Sequence, residues 1–302
     1  MPHREVRRLE NLDNEKSMKA RTKSTIEYRT LSLPNGHKVN YAHQGEGEPV
    51  ILVHGLAASL HDWDDLLPEL SQAGYAGYAL DLLGHGESEK PANTHDYSIE
   101  NAYADFAAWV NLLNPDKPLI LVGHSLGAGL SLMYTLRNPE HVRALAIVNP
   151  FYSMRQLPPI LQRLFRRQLI NTALIERTPY QVFRFLVDMT SFNYYIGQRE
   201  SHVLPEHIRY QTALDYKRSS SGIYNIPRTL HRVDLDLSRV HQPTLLLWGA
   251  RDQTLAPDSF HKLAQALPNV VKAEEFPICG HVPHQCHPED FNPHVMEFLR
   301  GI

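Results

Sequence analysis

The sequence predicts an α/β fold: a mostly parallel central sheet of about eight strands, with helices on both faces and an inserted helical cap. Short apolar runs, such as residues 50–53 and 119–122, alternate with amphipathic stretches of helical spacing. These runs are apolar at every position, which is typical of strands buried on both faces of a parallel sheet. The alternation stops after Pro150 and returns at Thr244. This interruption predicts an insertion rather than a second domain, because the sheet needs the strands on both sides of it.

The first half of the chain predicts a hairpin and four further strands. Segments 26–33 and 38–43 flank Pro34-Asn35-Gly36, a combination typical of a hairpin turn. Buried strands are then predicted at 50–53, 77–80, 119–122 and 142–148. Helices are predicted at 63–73, at 99–113 with Ser98 as the N-cap, and from Leu126 onwards.

The second half predicts the cap and the end of the sheet. Residues 151–239 contain no clear strand and many aromatic and basic residues, so we expect several helices and loops that form a cap, or lid. Strands are then predicted at 244–248 and 270–276, and helices at 258–267 and 288–299. The predicted core is therefore 26–150 together with 240–302, preceded by a mobile leader at 1–25.

Composition narrows the class of protein. The chain has 302 residues, of which 42% are hydrophobic and 21% charged, enough for one large core. A formal net charge of −3 argues against a nucleic-acid partner. Two cysteines do not make a disulfide framework, and no apolar run is long enough to span a membrane. The first 24 residues lack the apolar stretch of a secretory signal, so we expect a cytoplasmic protein with a small-molecule substrate.

The segment Gly123-His124-Ser125-Leu126-Gly127 is the clearest chemical motif. It has the G-x-S-x-G pattern and lies between a buried strand and a helix. Such a turn holds the serine in a strained backbone conformation, with its hydroxyl exposed at the end of the sheet. The two glycines are expected because strand and helix pass too close together for a Cβ atom. Ser125 is therefore the candidate nucleophile.

A serine nucleophile needs a base and an acid that orients the base. His281 follows the last strand and is preceded by Gly280, which favours it over His284, His287 and His294, all further from the strand end. Asp252 follows the strand 244–248 and a glycine turn, which makes it the candidate acid. Some hydrolases carry the acid one strand earlier, where this chain has Asn149-Pro150.

The oxyanion formed during ester cleavage needs two backbone N–H donors. One is predicted to be that of Leu126, directly after the candidate nucleophile. The other should come from the loop after the strand 50–53, and we expect it to be that of Leu56.

Five motifs in this order resemble the α/β-hydrolase fold family, in particular its lid-bearing, carboxylesterase-like serine hydrolases. They are His54-Gly55, the segment 81–88 (DLLGHGES), Gly123-His124-Ser125-Leu126-Gly127, Gly249-Ala250-Arg251-Asp252 and Gly280-His281. The resemblance implies that Ser125, His281 and Asp252 form a catalytic triad, that 81–88 is a structural turn and that no cofactor is used. It covers about 26–150 and 240–300 and leaves the cap unmatched.

Hydrolysis of carboxylic esters with apolar acyl or aryl groups is the function we expect. The same triad serves hydrolases of carbon–carbon bonds in ring-fission products, lactonases and perhydrolases. The first of these commonly carry tryptophan after the catalytic histidine, where this chain has Val282. Relatives with an aspartate nucleophile are disfavoured by Ser125. A ligand receptor or accessory binding protein of the same fold is the non-enzymatic alternative.

The run Cys279-x-His281-x-x-His284-x-Cys286-His287 contains residue types that bind zinc. Its spacing matches no usual zinc-finger pattern, and His281 already has a catalytic explanation. From this run we expect no metal site, and we expect Cys279 to be a small buried residue.

Overall fold

A computed structural model describes residues 25–113, 115–166, 177–190, 206–233 and 235–302. The predicted leader, 1–25, lies outside the described residues except for Thr25.

Eight strands form one sheet, as the sequence predicts. They are β1 (Glu27–Ser32), β2 (Lys38–Gln44), β3 (Glu48–Val53), β4 (Tyr75–Leu80), β5 (Leu119–His124), β6 (Val142–Val148), β7 (Thr244–Gly249) and β8 (Val270–Phe276). Their spatial order is β1-β2-β4-β3-β5-β6-β7-β8. The β1–β2 and β2–β4 pairs are antiparallel, and the remaining pairs are parallel. The carboxyl ends of β3, β5, β6, β7 and β8 consequently meet at one edge.

Ten α-helices occur within the described residues. They are α1 (Leu66–Gln72), α2 (Ile99–Leu113), α3 (Leu126–Arg137), α4 (Pro159–Arg166), α5 (Tyr180–Thr190), α6 (Glu206–Arg218), α7 (Ile226–Thr229), α8 (Asp258–Ala266), α9 (Pro283–Cys286) and α10 (Pro288–Gly301). The predicted cap of α2 is confirmed, since Ser98 Oγ accepts a hydrogen bond from the N–H of Asn101 at 3.1 Å.

The prediction of a single helix at 63–73 is wrong for the residues before Leu66. Residues Leu60–Trp63 form a 3₁₀ turn instead, and α1 begins at Leu66. Ser59 ends the preceding loop and caps this turn by accepting a hydrogen bond from the N–H of His61 at 3.2 Å. The polar cap therefore starts a separate short element before the amphipathic pattern of α1 begins.

Each central strand packs against helices on both faces, which explains its continuous apolar run. In β3, Ile51 and Val53 contribute to one core cluster, which includes residues of α2, α3 and α8. Val50 and Leu52 contribute to the other, which includes residues of α1 and α10. Side chains alternate across a strand, so a strand covered on both faces must be apolar at every position.

The described parts of 151–239 are helices, turns and loops, and they contain no strand. The C-terminal end of α6 docks against the loop that follows β3. Ser59 Oγ donates a hydrogen bond to Asp215 Oδ2 at 2.7 Å, and Ser219 Oγ donates to the carbonyl of Ala57 at 3.2 Å. The inserted segment thus contacts the loop that carries the predicted oxyanion donor Leu56.

Asp215 is a buried carboxyl group at this docking contact, so we expect its ionisation to affect stability. Burial raises the pKa of Asp215 to about 6. The folded chain therefore holds this proton more tightly than the unfolded chain, and the free energy of unfolding should fall as pH rises from about 4 through about 6. Asp215→Asn removes this ionisation, so we expect its effect on the free energy of unfolding to be more favourable at pH 7 than at pH 4.5 by about 2 kcal/mol.

Thermal melting of Asp215→Asn and the unmodified protein at these two pH values checks this. Asp116→Asn is the matched control, because Asp116 is exposed. If Asp215→Asn changed the Tm by the same amount at pH 4.5 and at pH 7, the proposed ionisation of Asp215 would be contradicted.

None of the described helices combines the length and the hydropathy that crossing a membrane requires.

Candidate active site

Ser125 lies in the tight turn between β5 and α3, as the motif predicts. Its φ of 50° falls in the left-handed region, which non-glycine residues seldom occupy. The turn is held by the backbone. The N–H of Ser125 donates to the carbonyl of Val148, and its carbonyl accepts hydrogen bonds from Gly129 and Phe151. The strained conformation is thereby fixed by β6 and by the chain that leaves it.

The two motif glycines are required by close packing. A Cβ on Gly123 would lie 2.7 Å from the backbone of Ala128. A Cβ on Gly127 would lie 2.1 Å from the carbonyl oxygen of Val53. Helix α3 can start directly over β3 and β5 only because neither position carries a side chain.

The structure brings Ser125, His281 and Asp252 together, although they are distant in sequence. His281 Nε2 lies 3.0 Å from Ser125 Oγ, and His281 Nδ1 lies 2.7 Å from Asp252 Oδ2. All three residues are buried. An ionised carboxylate only accepts hydrogen bonds, so Nδ1 carries the hydrogen and Nε2 is left free to accept the hydroxyl proton.

The Asp252 carboxylate is saturated with donors. Its Oδ1 accepts hydrogen bonds from the N–H groups of Thr254 and Leu255, at 2.7 and 2.9 Å. Its Oδ2 accepts from Asn149 Nδ2 at 2.7 Å as well as from His281. Four donors stabilise the charged form of a buried carboxylate and hold it in one orientation.

Asn149 is a site residue that sequence reasoning did not assign. The sequence shows only that Asn149 occupies the position where some hydrolases carry the orienting acid. In the structure it is fully buried, adopts a φ of 41° and donates to Asp252. A polar side chain that directly follows a buried strand is the signal that could have identified it, because β6 and β7 are neighbours in the sheet.

The turns after β7 and β8 pack directly on one another and align Asp252 with His281. The N–H of Arg251 donates to the carbonyl of Cys279, and that of Ala250 donates to Phe276. A Cβ on Gly249 would lie 1.9 Å from the carbonyl oxygen of Gly280. Glycine at 249 thus allows the two turns to approach closely.

The loop after β3 carries the predicted oxyanion donor and is oriented by His54. Leu82 donates its N–H to His54 Nε2 at 3.0 Å, so Nδ1 must carry the hydrogen and donate to the carbonyl of Gly55 at 2.7 Å. That carbonyl belongs to the same planar peptide unit as the N–H of Leu56. Anchoring one end of the peptide unit directs the Leu56 N–H to the opposite side.

Both predicted oxyanion donors are free of the backbone hydrogen bonds that the described turns, loops and helix ends make. These bonds use the N–H of neither Leu56 nor Leu126. Leu126 is the first residue of α3, and the N–H groups of the first helical turn have no partner within their own helix. Gly55 adjoins Ser125, since a Cβ on it would lie 3.2 Å from Ser125 Cβ.

Asp81 opens segment 81–88 and acts as a structural anchor. Its carboxylate accepts hydrogen bonds from the backbone N–H groups of Leu60 and Glu87 and from Asn40 Nδ2. A Cβ on Gly86 would lie 2.2 Å from this carboxylate. These contacts agree with the structural turn that the family resemblance implies.

The three competing histidines make other contacts. His287 is close to Glu289, and the ring of His294 meets Phe276 edge-on. His284 is buried and stacks on Trp63. Cys279 is buried, as predicted, and burial raises the pKa of its thiol to about 12. Neither cysteine belongs to a group of side chains in the described chain that could share a metal ion.

Comparison with known proteins identifies the family. The family model described as the alpha/beta hydrolase fold matches residues 48–288. The chain belongs to the alpha/beta hydrolase fold family. The sheet order and the strained turn that carries Ser125 are consistent with this family.

Curated alpha/beta hydrolase relatives cover most of the chain at modest identity. The cis-3-alkyl-4-alkyloxetan-2-one decarboxylase of Shewanella oneidensis is 26% identical over 285 residues, which are 88% of this chain and 86% of the relative. Lipase 1 of Psychrobacter immobilis is 26% identical over 272 residues, 87% of this chain and 81% of the lipase.

A solved alpha/beta hydrolase agrees in fold. A thermophilic esterase from Thermogutta terrifontis matches with a TM-score of 0.75 and 18% identity, covering 91% of this chain and 98% of the esterase. At this identity the match shows the fold alone. Family membership, together with the lipase relative, supports hydrolase activity.

Proposed function

We propose that this protein hydrolyses carboxylic esters with apolar acyl or aryl groups, with Ser125 as nucleophile, His281 as base and Asp252 as the orienting acid. The contact that carries the proposal is the 3.0 Å approach of His281 Nε2 to Ser125 Oγ, with the opposite ring nitrogen on Asp252. A serine hydroxyl becomes a useful nucleophile at neutral pH only when such a base can take its proton.

Acylation begins when Ser125 Oγ attacks the ester carbonyl and its proton passes to His281 Nε2. Asp252 stabilises the resulting imidazolium, since its carboxylate already accepts from Nδ1. The tetrahedral intermediate collapses as the bond to the alcohol breaks. His281 gives its proton to the departing alkoxide, and the acyl group remains on Ser125.

Deacylation repeats these steps with water. His281 removes a proton from a water molecule, the resulting hydroxide attacks the acyl carbonyl, and the second tetrahedral intermediate releases the carboxylic acid. The proton on His281 returns to Ser125 Oγ, so the enzyme regains its starting state. The residues of this scheme require no cofactor.

The oxyanion of each intermediate is proposed to bind the N–H groups of Leu56 and Leu126. Support comes from His54, which anchors the Leu56 peptide unit, and from the position of Leu126 at the start of α3. Removing one donor of this kind typically costs about 3 to 4 kcal/mol of transition-state stabilisation.

Residues 151–239 are proposed to act as the cap over this site, and the apolar contacts beside His281 support an apolar substrate. Val282, directly after His281, is buried with Val187 of α5 and Ala213 of α6. The inserted segment therefore packs through apolar side chains on the residue that follows the base, as expected of a cap over a site for apolar molecules. The lipase relative is consistent with such a substrate.

A turnover panel tests the proposal. The purified chain is assayed on p-nitrophenyl esters of short to long acyl chains, on lactones and on aryl diketones, with Ser125→Ala as the background. We expect ester turnover that rises with the apolar surface of the acyl group. Cleavage of diketones without ester turnover, or tight binding of esters without turnover, would contradict an esterase.

A further inference from the structure

Three buried side chains beside the candidate site each direct one polar atom without a hydrogen-bond partner toward the same point. They are Asp62 from the 3₁₀ turn after β3, His124 directly before Ser125, and His284 of α9. One ligand atom from each lies within 4.8 Å of the others. Asp62 Oδ2, His124 Nδ1 and His284 Nε2 are all buried, and none accepts or donates a hydrogen bond. Buried polar atoms are normally partnered, so three such atoms at one point need an explanation.

The distances within this group fit a shared metal ion better than direct hydrogen bonds. His124 Nδ1 lies 3.4 Å and His284 Nε2 lies 3.6 Å from Asp62 Oδ2. Charge-assisted hydrogen bonds between nitrogen and carboxylate are about 2.7–2.9 Å long. Ligands on a tetrahedral ion with bonds of about 2.0–2.1 Å lie about 3.3 Å apart.

The orientation of the His124 ring also supports a shared metal ion. Its Nε2 lies 2.9 Å from the carbonyl oxygen of His281 and must donate to it. In the neutral ring this leaves the Nδ1 lone pair facing the Asp62 carboxylate, an arrangement that needs a cation between them. Metal-binding histidines characteristically donate their other ring N–H to a backbone carbonyl or a carboxylate.

The surroundings hold the other two side chains in place. Gln285 Nε2 donates to Asp62 Oδ1 at 2.9 Å, which leaves Oδ2 to face the histidines. The ring of His284 stacks on Trp63 with 5.0 Å between ring centroids. The hydrogen bond from Gln285 is the kind of outer contact that orients the ligands of known metal sites, whereas stacking alone positions His284, whose Nδ1 has no hydrogen-bond partner among the described residues.

We propose that Asp62, His124 and His284 form a buried binding site for one divalent transition-metal ion, such as Zn²⁺. Two imidazoles and one carboxylate form a donor set that these ions accept, with water completing the coordination. The ion would neutralise the Asp62 carboxylate. It would also join the loop after β3, the turn that carries Ser125 and the segment that follows His281.

The sequence does not reveal this group because its members are far apart along the chain. The only local pattern, at residues 279–287, combines His284 with two cysteines that are absent from the group. Asp62 and His124 reach His284 only through the parallel pairing of β3 with β5 and the return of the chain after β8.

Metal content tests the proposal. The full-length protein is purified after expression with Zn²⁺, dialysed against metal-free buffer and analysed by elemental mass spectrometry. We expect about one ion per chain, and at least about tenfold less in Asp62→Asn and in His284→Gln. His287→Gln is the matched control, since His287 belongs to a more exposed group with Glu289 and Asp290.

Two further readouts separate metal binding from folding. Removing the ion with a chelator should lower the Tm of the unmodified protein and of His287→Gln, and adding Zn²⁺ should restore it. Cobalt added to the chelated protein should give the visible absorption of a four-coordinate ion. Both responses should be absent from Asp62→Asn, with circular dichroism reporting whether each variant is folded.

Three results would overturn the site. The first is that the unmodified protein folds without bound metal and its Tm does not change when Zn²⁺ is added. The second is that His287→Gln loses metal while His284→Gln keeps it. The third is that all variants contain the same amount of metal. The first would mean that protons alone hold Asp62 and the two histidines together. Since none of these readouts is ester turnover, the site can fail while the proposed hydrolase activity stands, and the reverse also holds.

Discussion

Replacing Ser125 by alanine should lower kcat for ester hydrolysis by about four to six orders of magnitude. The variant lacks the oxygen that forms the acyl-enzyme, and His281 Nε2 loses the hydroxyl it contacts at 3.0 Å. The fold should persist, because the turn is held by backbone hydrogen bonds with Val148, Gly129 and Phe151 rather than by the side chain. Steady-state kinetics with a p-nitrophenyl ester measures the loss.

Ser131→Ala is the matched control for this variant. Ser131 is also buried, lies in α3 and donates its hydroxyl to the carbonyl of Gly127. We expect its kcat to stay within a few-fold of the unmodified protein. If Ser125→Ala and Ser131→Ala retained the same activity, Ser125 would not be the nucleophile.

Asp252→Asn should lower kcat by about 10⁴-fold, through the wrong tautomer of His281. Each oxygen of Asp252 accepts hydrogen bonds from two donors. An asparagine amide replaces one of these oxygens with an NH₂ group, which donates and cannot accept. With its NH₂ group toward His281, it forces the hydrogen of the ring onto Nε2. That nitrogen can then no longer accept the proton of Ser125. The opposite orientation sets the NH₂ group against the N–H groups of Thr254 and Leu255.

Asp105→Asn provides the comparison for a buried aspartate outside the site. Asp105 contacts Asn35 and His37, so this variant reports only the general cost of the substitution. Kinetics and thermal melting of both variants separate catalysis from stability. Asp252→Asn with nearly normal kcat and a lowered Tm would assign Asp252 a structural role only.

Much of the sheet could be predicted because its central strands are buried on both faces, while the edge strand β8 alternates between half-buried and exposed residues. Strands β6 and β8 span the predicted residues, 142–148 and 270–276. The residues 60–73 were harder to assign, because Leu60 and Trp63 belong to the apolar core although they lie in a separate turn. Burial of those side chains follows from tertiary packing and leaves no local periodicity.

The meeting of Ser125, Asp252 and His281 could be anticipated because each follows a strand of the same parallel sheet. Parallel strands end at one edge, so residues after neighbouring strands come close together in space. Asn149 satisfies the same condition after β6, yet its donation to Asp252 depends on a backbone φ of 41° that the sequence does not specify. The tautomer of His54 likewise depends on Leu82, a contact across 28 positions.

The inserted segment was the least predictable part. Its helices pack through scattered apolar positions, such as Val187 and Ala213, which meet Val282 only in the folded chain. Helix bounds could not be assigned there, and the substrate preference that depends on this segment stays a prediction.

Ser125 carries the acyl group in the proposed mechanism, and mass spectrometry tests this directly. The protein is mixed with a p-nitrophenyl ester, quenched with acid within the first turnovers, digested and mapped. We predict one acyl group per chain, located on the peptide that contains Ser125 and absent from Ser125→Ala. Ester turnover without any acyl adduct, or with the adduct on another residue, would contradict the account.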